Sequence, residues 1–285
     1  MQNRTLISSA ELAALQREGE VLVVDCRFEL GDTGKGERDY LAGHVPGAVY
    51  AHLDRDLSGA HQVGLGRHPL PEDVALSAVL SRWGWRPGLP VVAYDAMQGA
   101  LAAARLWWLL RLAGETQVAV LDGGLQAWQA AGHGLEAGGV QRAPSDVQVA
   151  LERSQVVWTG ELEQRLRNHA LCLLDARAAP RYRGEVEPLD PVAGHVPGAL
   201  NLPFADNLAA DGRFKSASEL RAAYERRLAG HAPGDVVHMC GSGVTACHNL
   251  LAMEHAGLTG SRVFAPSWSG WVDGPGHAVA TGSSG

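Results

Sequence analysis

Cysteine is scarce in this chain, with four residues in 285 and no short paired spacing among them. That argues against a disulfide framework and against a cysteine-rich zinc site, so a cysteine with a task is reactive rather than structural. Long apolar runs are missing too. The start, MQNRTLISSAELAALQ, has no uninterrupted apolar core behind a basic segment and does not read as a secretory signal. The most apolar helical stretch, residues 99–114, is broken by Arg105 and Arg111 and is too short to span a bilayer. A cytoplasmic location is expected. Cations are outnumbered, 24 Lys and Arg against 31 Asp and Glu, for a net charge of −7. Nucleic acid or an acidic membrane would repel such a surface at long range, so neither is an expected partner. The 12 histidines include no two-His spacing with a nearby acid, and neither a metal nor a cofactor is expected.

What is present is written twice. VLVVDCR (21–27) precedes GHVPGAV (43–49), and LCLLDAR (171–177) precedes GHVPGAL (194–200). Asp25 and His44 are 19 positions apart, Asp175 and His195 are 20. Two long matches in one order and at nearly one spacing mark an internal duplication, whose period of about 150 residues is the size of a domain. Later segments keep step. LPVVAYDAMQG (89–99) matches DVVHMCGSG (235–243), which sets Asp95 opposite Cys240; VAVLDGGLQAW (118–128) matches SRVFAPSWSGW (261–271), which sets Trp128 opposite Trp271. The expected layout is a first domain over 1–136, a polar Gly- and Pro-containing linker over 137–148, and a second domain over 149–285.

Each half alternates short β-branched runs with amphipathic segments. VLVVD, VVAY and VAVLD are nearly continuous apolar runs, as expected of strands buried on both faces of a parallel sheet. Ser8 with Glu11 and Ser216 with Glu219 have the spacing of capping boxes at helix starts. The order strand, helix, strand predicts two α/β domains, each a mostly parallel sheet flanked by helices. In such sheets ligands bind at loops that leave the carboxyl ends of strands.

Cys240 sits in one of those loops. VVHM reads as a strand, CGSG as a turn with Gly241 and Gly243, and the run from Thr245 as a helix. Glycines let backbone N–H groups converge, and the helix N-terminus adds a positive dipole end, so the loop suits a thiolate or an anionic persulfide. Cys26 and Cys172 lie within or at the end of buried strand patterns and read as core. Asp25, Arg27, Asp175, Arg177, His44 and His195 recur in both halves although only one half has a nucleophile, which makes them supports of the fold. Cys247, two turns beyond Cys240, is either core or a redox partner.

These motifs resemble the tandem rhodanese-like sulfurtransferases over nearly the whole length: Asp-x-Arg and GHVPGA twice, YDAMQG in the first half, CGSGVTAC in the second, and LDGGLQAW and PSWSGW near the domain ends. The resemblance implies two tandem rhodanese-like domains and a sulfur carried as a Cys240 persulfide from a small donor to a thiol, cyanide or thioredoxin-like acceptor. It also implies a donor. Cys240-Gly241-Ser242-Gly243 looks like the loop of the 3-mercaptopyruvate branch, whereas thiosulfate-specific members have Cys-Arg-Lys-Gly. Transfer from thiosulfate is the alternative reading.

In the mercaptopyruvate branch the loop serine works with a His and an Asp, and the matching positions here are Ser242, His68 and Asp54. Gly241, Gly243, Val244 and Thr245 would form the rest of the cradle. Arg181 and Arg183 match the arginine-bearing segment that meets the donor carboxylate, a task suited to a guanidinium fork. The family's second carboxylate-binding arginine aligns with Leu189. Two rival activities have sequence arguments of their own. A cysteine phosphatase needs an arginine near the end of its loop, and GSGVTA has none; a persulfide carrier without a small donor would need only Cys240. A monomer is expected, since the duplication already builds a pseudo-dimer.

Overall fold

The computed structural model describes residues 4–168, 170–228, 230–274 and 276–283. In the first half, strands β1 (Leu6–Ile7), β2 (Leu22–Asp25), β3 (Val49–Tyr50), β4 (Val91–Tyr94) and β5 (Val118–Leu121) pair in the order β1-β5-β4-β2-β3. Between and after them run helices α1 (Ser9–Glu18), α2 (Lys35–Ala42), α3 (Leu53–Asp56), α4 (Asp73–Arg82), α5 (Ala103–Leu112) and α6 (Gly124–Ala130). The second half repeats the plan. Strands β6 (Val156–Val157), β7 (Cys172–Asp175), β8 (Leu200–Asn201), β9 (Val236–Met239) and β10 (Arg262–Phe264) pair in the order β6-β10-β9-β7-β8. Its helices are α7 (Thr159–Arg167), α8 (Ala179–Tyr182), α9 (Ala217–Leu228), α10 (Ala246–His255) and α11 (Ser267–Asp273).

Every strand pairing in both sheets is parallel, with β4 and β9 central. This is the expected architecture, and the sequence reason is visible: the four residues of β2, β4, β5, β7 and β9 are all buried, so no strand alternates. One core gathers Leu12, Val23, Val45, Val92, Leu121 and Trp128; the other gathers Leu162, Leu173, Val196, Val237, Phe264 and Trp271. Both predicted capping boxes form. Glu11 N–H donates to Ser8 Oγ and Ser8 N–H to Glu11, and Ser216 and Glu219 repeat the exchange. The Glu11 carboxyl is held down near 2, chiefly by the Ser8 backbone N–H.

The duplicated motifs do the same structural work in each half. Arg27 forks onto Asp25 and reaches Gly43 O at 2.7 Å; Arg177 forks onto Asp175 and reaches Gly194 O at 2.8 Å. His44 stacks on Tyr40 and His195 on Tyr182, each with Nδ1 2.8 Å from that tyrosine's carbonyl. Cys26 and Cys172 are core residues, with burial pushing the thiol of Cys172 up to about 11.

The compact units are Met1–Gly59 with Leu70–Glu152 and Asp211–Arg213, and Ala60–Pro69 with Arg153–Ala210 and Phe214–Gly285. Residues 137–152 thus group with the first unit, beyond the boundary drawn at 148, and residues 60–69 group with the second. The former run extended along α4: N–H groups of Val147 and Val149 donate to the hydroxyls of Ser81 and Ser77, one helical turn apart. With Gly138, Gly139, Pro144 and no helical period, the segment reads as a linker by composition although it is fastened to α4. Among the described residues no helix is long and apolar enough to cross a membrane.

Candidate functional site

Cys240 follows the central strand β9 directly, at its carboxyl end. Its side chain is buried and its thiol is free. The backbone is clamped on both sides. Cys240 N–H donates to Ser267 Oγ at 3.1 Å, and Cys240 O accepts from Trp268 N–H at 3.0 Å; Gly241 O accepts from Ser269 N–H at 2.8 Å. Ser267 holds this position with φ +52°, a left-handed conformation uncommon for serine, and its hydroxyl donates in turn to Phe264 O. Its counterpart by the repeat is Gly124, at φ +60°. The turn there needs a left-handed residue in both halves, and only the second half spends a hydroxyl on it.

Gly243 is left-handed at φ +77°, which lets the chain turn from the loop into α10. Val244 is buried and Thr245 is the N-cap residue of α10, with no side-chain cap bond. Among the described residues the N–H groups of Ser242, Val244 and Ala246 have no carbonyl partner, and they lead from the cysteine into the positive end of the helix. Cys247 is buried on α10, its Sγ 3.4 Å from Gly243 O.

The matching loop of the first unit displays what such a turn can hold. Asp95 also follows a central strand, and Gln98, three positions on like Gly243, is left-handed at φ +55°. The Asp95 carboxylate is fully buried and accepts N–H bonds from Met97 and Gly99 at 2.8 Å, Leu101 at 3.1 Å and Ala103 at 3.2 Å. Ala103 is the first residue of α5, so the negative charge sits on a helix N-terminus. Burial still pushes this carboxyl up from its usual range, against the four donors.

Around Cys240 the structure gathers several of the residues expected from sequence. His68 and Ser242 are both buried, with His68 Nδ1 2.7 Å from Ser242 Oγ. His68 reaches this point on the 60–69 segment, pinned by Gly64 N–H to Asp273 and by Arg67 N–H to Ser269 Oγ. Gly66, at φ +82°, passes so close to Pro266 that a Cβ would lie 2.4 Å from its carbonyl oxygen. Asp54 lies in the first unit, exposed in the four-residue helix α3. Arg181 faces the loop: a Cβ at Gly241 would stand 3.5 Å from its Nη1. Arg183 instead pairs with Glu185 at 2.6 Å, and Leu189 is exposed.

Several neighbours carry no motif of their own. Arg67 Nη2 would stand 3.7 Å from the same Gly241 Cβ. Glu187 and Asp190, buried acids, link the arginines into an alternating chain: Arg177 to Glu187 at 3.5 Å, Glu187 to Arg181 at 2.6 Å, Arg181 to Asp190 at 3.4 Å, and Asp190 to Arg67 at 2.7 Å. Ser267 was discoverable from its alignment with Gly124; Arg67 had no repeat partner to reveal it. Among the described residues no cluster of three or more His, Cys, Asp or Glu could hold a metal.

Comparison with known proteins shows the family. A Pseudomonas aeruginosa protein named "Probable 3-mercaptopyruvate sulfurtransferase" is 47% identical over 99% of this chain and 100% of its own length. The thiosulfate sulfurtransferase of Bos taurus is 31% identical over 94% of this chain and 92% of its own. The crystal structure of SseA from Escherichia coli, described as a 3-mercaptopyruvate sulfotransferase, aligns with a TM-score of 0.81 and 29% identity over 93% of this chain and 99% of its own. Residues 8–131 and 159–273 each match the rhodanese-like domain, and the chain therefore belongs to the rhodanese family as a tandem, two-domain member.

Proposed function

We propose that this protein is a sulfurtransferase that takes sulfur from 3-mercaptopyruvate onto Cys240 and passes it, as a persulfide, to a thiol or cyanide acceptor. The observation that carries the donor is the 2.7 Å contact between Ser242 and His68 in the loop that begins at Cys240. A hydroxyl and an imidazole in hydrogen-bond reach can move the proton that this chemistry has to relocate. The Cys240 thiolate attacks the sulfur of the donor, the new S–S bond forms, and the C–S bond breaks with its electron pair left on carbon. The proton of the donor thiol passes through Ser242 and His68 to that carbon, which leaves as the methyl group of pyruvate. Cys240 then carries an anionic outer sulfur. An acceptor thiolate or cyanide attacks that sulfur and returns Cys240 as thiolate.

The cradle supports the intermediate by analogy with Asp95, whose charge is met by four N–H groups in the equivalent turn. Arg181 supports binding of the donor carboxylate through the Nη1 group that faces Gly241. Asp54 is proposed as the acid that completes the relay. The names of the P. aeruginosa and E. coli relatives point to the same donor.

One observation favours thiosulfate as a second reading. The loop itself lacks a cation, but Arg67 and Arg181 bring two guanidinium groups beside Gly241, so a dianion would also find positive charge. Steady-state assays with each donor against cyanide and a dithiol separate the two. The expected result is the higher kcat/KM with 3-mercaptopyruvate; the reverse ranking overturns the donor assignment and leaves the nucleophile in place.

A further inference from the structure

The carboxylate of a 2-oxo acid is best held by two forks, and the segment that would supply the second arginine has the exposed Leu189 instead. The structure has a different guanidinium in reach. Arg67 ends the alternating chain of charges, and Asp190 ties it to Arg181 by giving one carboxylate oxygen to each: Oδ1 to Arg67 Nη1 and Oδ2 to Arg181 Nη2. The acids are the inner members, with side chains of Glu187 and Asp190 3% exposed, whereas Arg67 is 29% and Arg181 19% exposed. The chain carries three arginines against two acids, and its two cations beside the cysteine loop, Arg67 and Arg181, are more exposed than the acids that tie them.

Both arginines keep unused donors on the side of the cysteine loop. Arg181 spends Nε and Nη2 on Glu187 and Asp190, and Arg67 spends Nη1 on Asp190. Arg181 Nη1 and Arg67 Nη2 have no acceptor among the described residues, and these are the two nitrogens 3.5 and 3.7 Å from the Cβ position of Gly241. Arg67 Nε, by contrast, is buried, and it too has no hydrogen-bond partner. A buried guanidinium N–H without an acceptor is uncommon in a folded protein and points to an oxygen supplied by a ligand. The absence of a side chain at Gly241 leaves the gap between the two groups open.

We propose that Arg67 is a donor-binding residue of this enzyme, which with Arg181 clamps the carboxylate of the incoming 2-oxo acid and so replaces the arginine missing at Leu189. Asp190 is the spacer that holds the two guanidiniums side by side. The inference rests on the donor assigned above. It makes Arg67 a determinant of specificity for carboxylate-bearing donors, distinct from the adjacent His68, which serves proton movement.

The test compares two donors in the full chain: 3-mercaptopyruvate and inorganic polysulfide, which has no carboxylate. Arg67→Ala should raise the KM for 3-mercaptopyruvate about tenfold, the loss of one charge-assisted contact, and shift the KM for polysulfide much less. Arg67→Lys, which keeps the charge and loses the fork, should fall between wild type and Arg67→Ala. If Arg67→Ala does not fold, Arg67→Gln, which can still donate to Asp190, carries the same comparison. An unchanged KM for 3-mercaptopyruvate, an equal rise for both donors, or a loss confined to kcat overturns the inference, because each would mean that Arg67 only supports its neighbours. A wild-type chain that does not turn over 3-mercaptopyruvate overturns the donor assignment instead.

Discussion

The loops at Asp95 and Cys240 leave equivalent central strands, turn through a left-handed residue at the same third position, and enter a helix. One is closed upon itself. In the first unit a carboxylate grows from the loop's own first residue and takes four N–H groups, so the charge the turn can stabilise is already present. In the second unit the first residue is a cysteine, and among the described residues the N–H groups of Ser242, Val244 and Ala246 find no carbonyl. The same backbone device therefore holds an internal carboxylate in one copy and has none of its own in the other. A third difference lies beneath the loops: the strand position of Ala93 in β4 is occupied by His238 in β9, buried and 3.1 Å from Ser261 Oγ.

The largest expected effect tests the chemical half of that comparison. Cys240→Ser should lower sulfur transfer by roughly 10³-fold or more and abolish the gain of one sulfur atom on the intact protein by mass spectrometry, since hydroxyl cannot form a persulfide. Persistence of a sulfur adduct in that variant would move the nucleophile elsewhere. The structural half is tested by Asp95→Ala, which removes the acceptor of four buried N–H groups. A loss of about 3 kcal/mol in urea unfolding is expected, and a change within experimental error would mean that the first loop needs no internal anion.

The smallest effect concerns acid. Burial holds the His238 imidazole down near 3, so in the folded protein it stays neutral where an unfolded histidine takes a proton. Between pH 6.5 and 3 the unfolded chain thus binds more protons at this site, and stability falls as pH falls through that window. At pH 5 the contribution is about 2 kcal/mol. His238→Gln, with a side chain that does not titrate, should flatten the decline between pH 6.5 and 5 in chemical denaturation. An unaltered slope would assign acid sensitivity to other groups, the first unit having only Ala93 at this position.

Local and periodic features were legible without coordinates. The all-apolar runs that became β2, β4, β5, β7 and β9, the capping boxes at Ser8 and Ser216, and the place of Cys240 at the end of a central strand were all readable, the last because the duplication supplied an internal comparison. Ser242 and His68 came from family resemblance, and they meet at 2.7 Å. Arg183 shows the limit of such transfer: two arginines one residue apart in RYRGE look equivalent in sequence, but α8 turns Arg181 to the loop and Arg183 to Glu185.

By itself, the sequence determined two parallel α/β sheets, the loop that carries Cys240 and the absence of a cysteine from its twin, because burial pattern, turn glycines and helix caps act between residues close along the chain. Tertiary structure alone decided what surrounds the sulfur. Arg67 meets Asp190 across 123 positions and His68 meets Ser242 across 174; these contacts depend on a Gly-rich segment without periodicity, held by close approach to Pro266 and by single hydrogen bonds to Ser269 and Asp273. No local rule encodes such an arrangement, so Arg67, the second cation beside the cysteine loop, became visible only when the chain was folded.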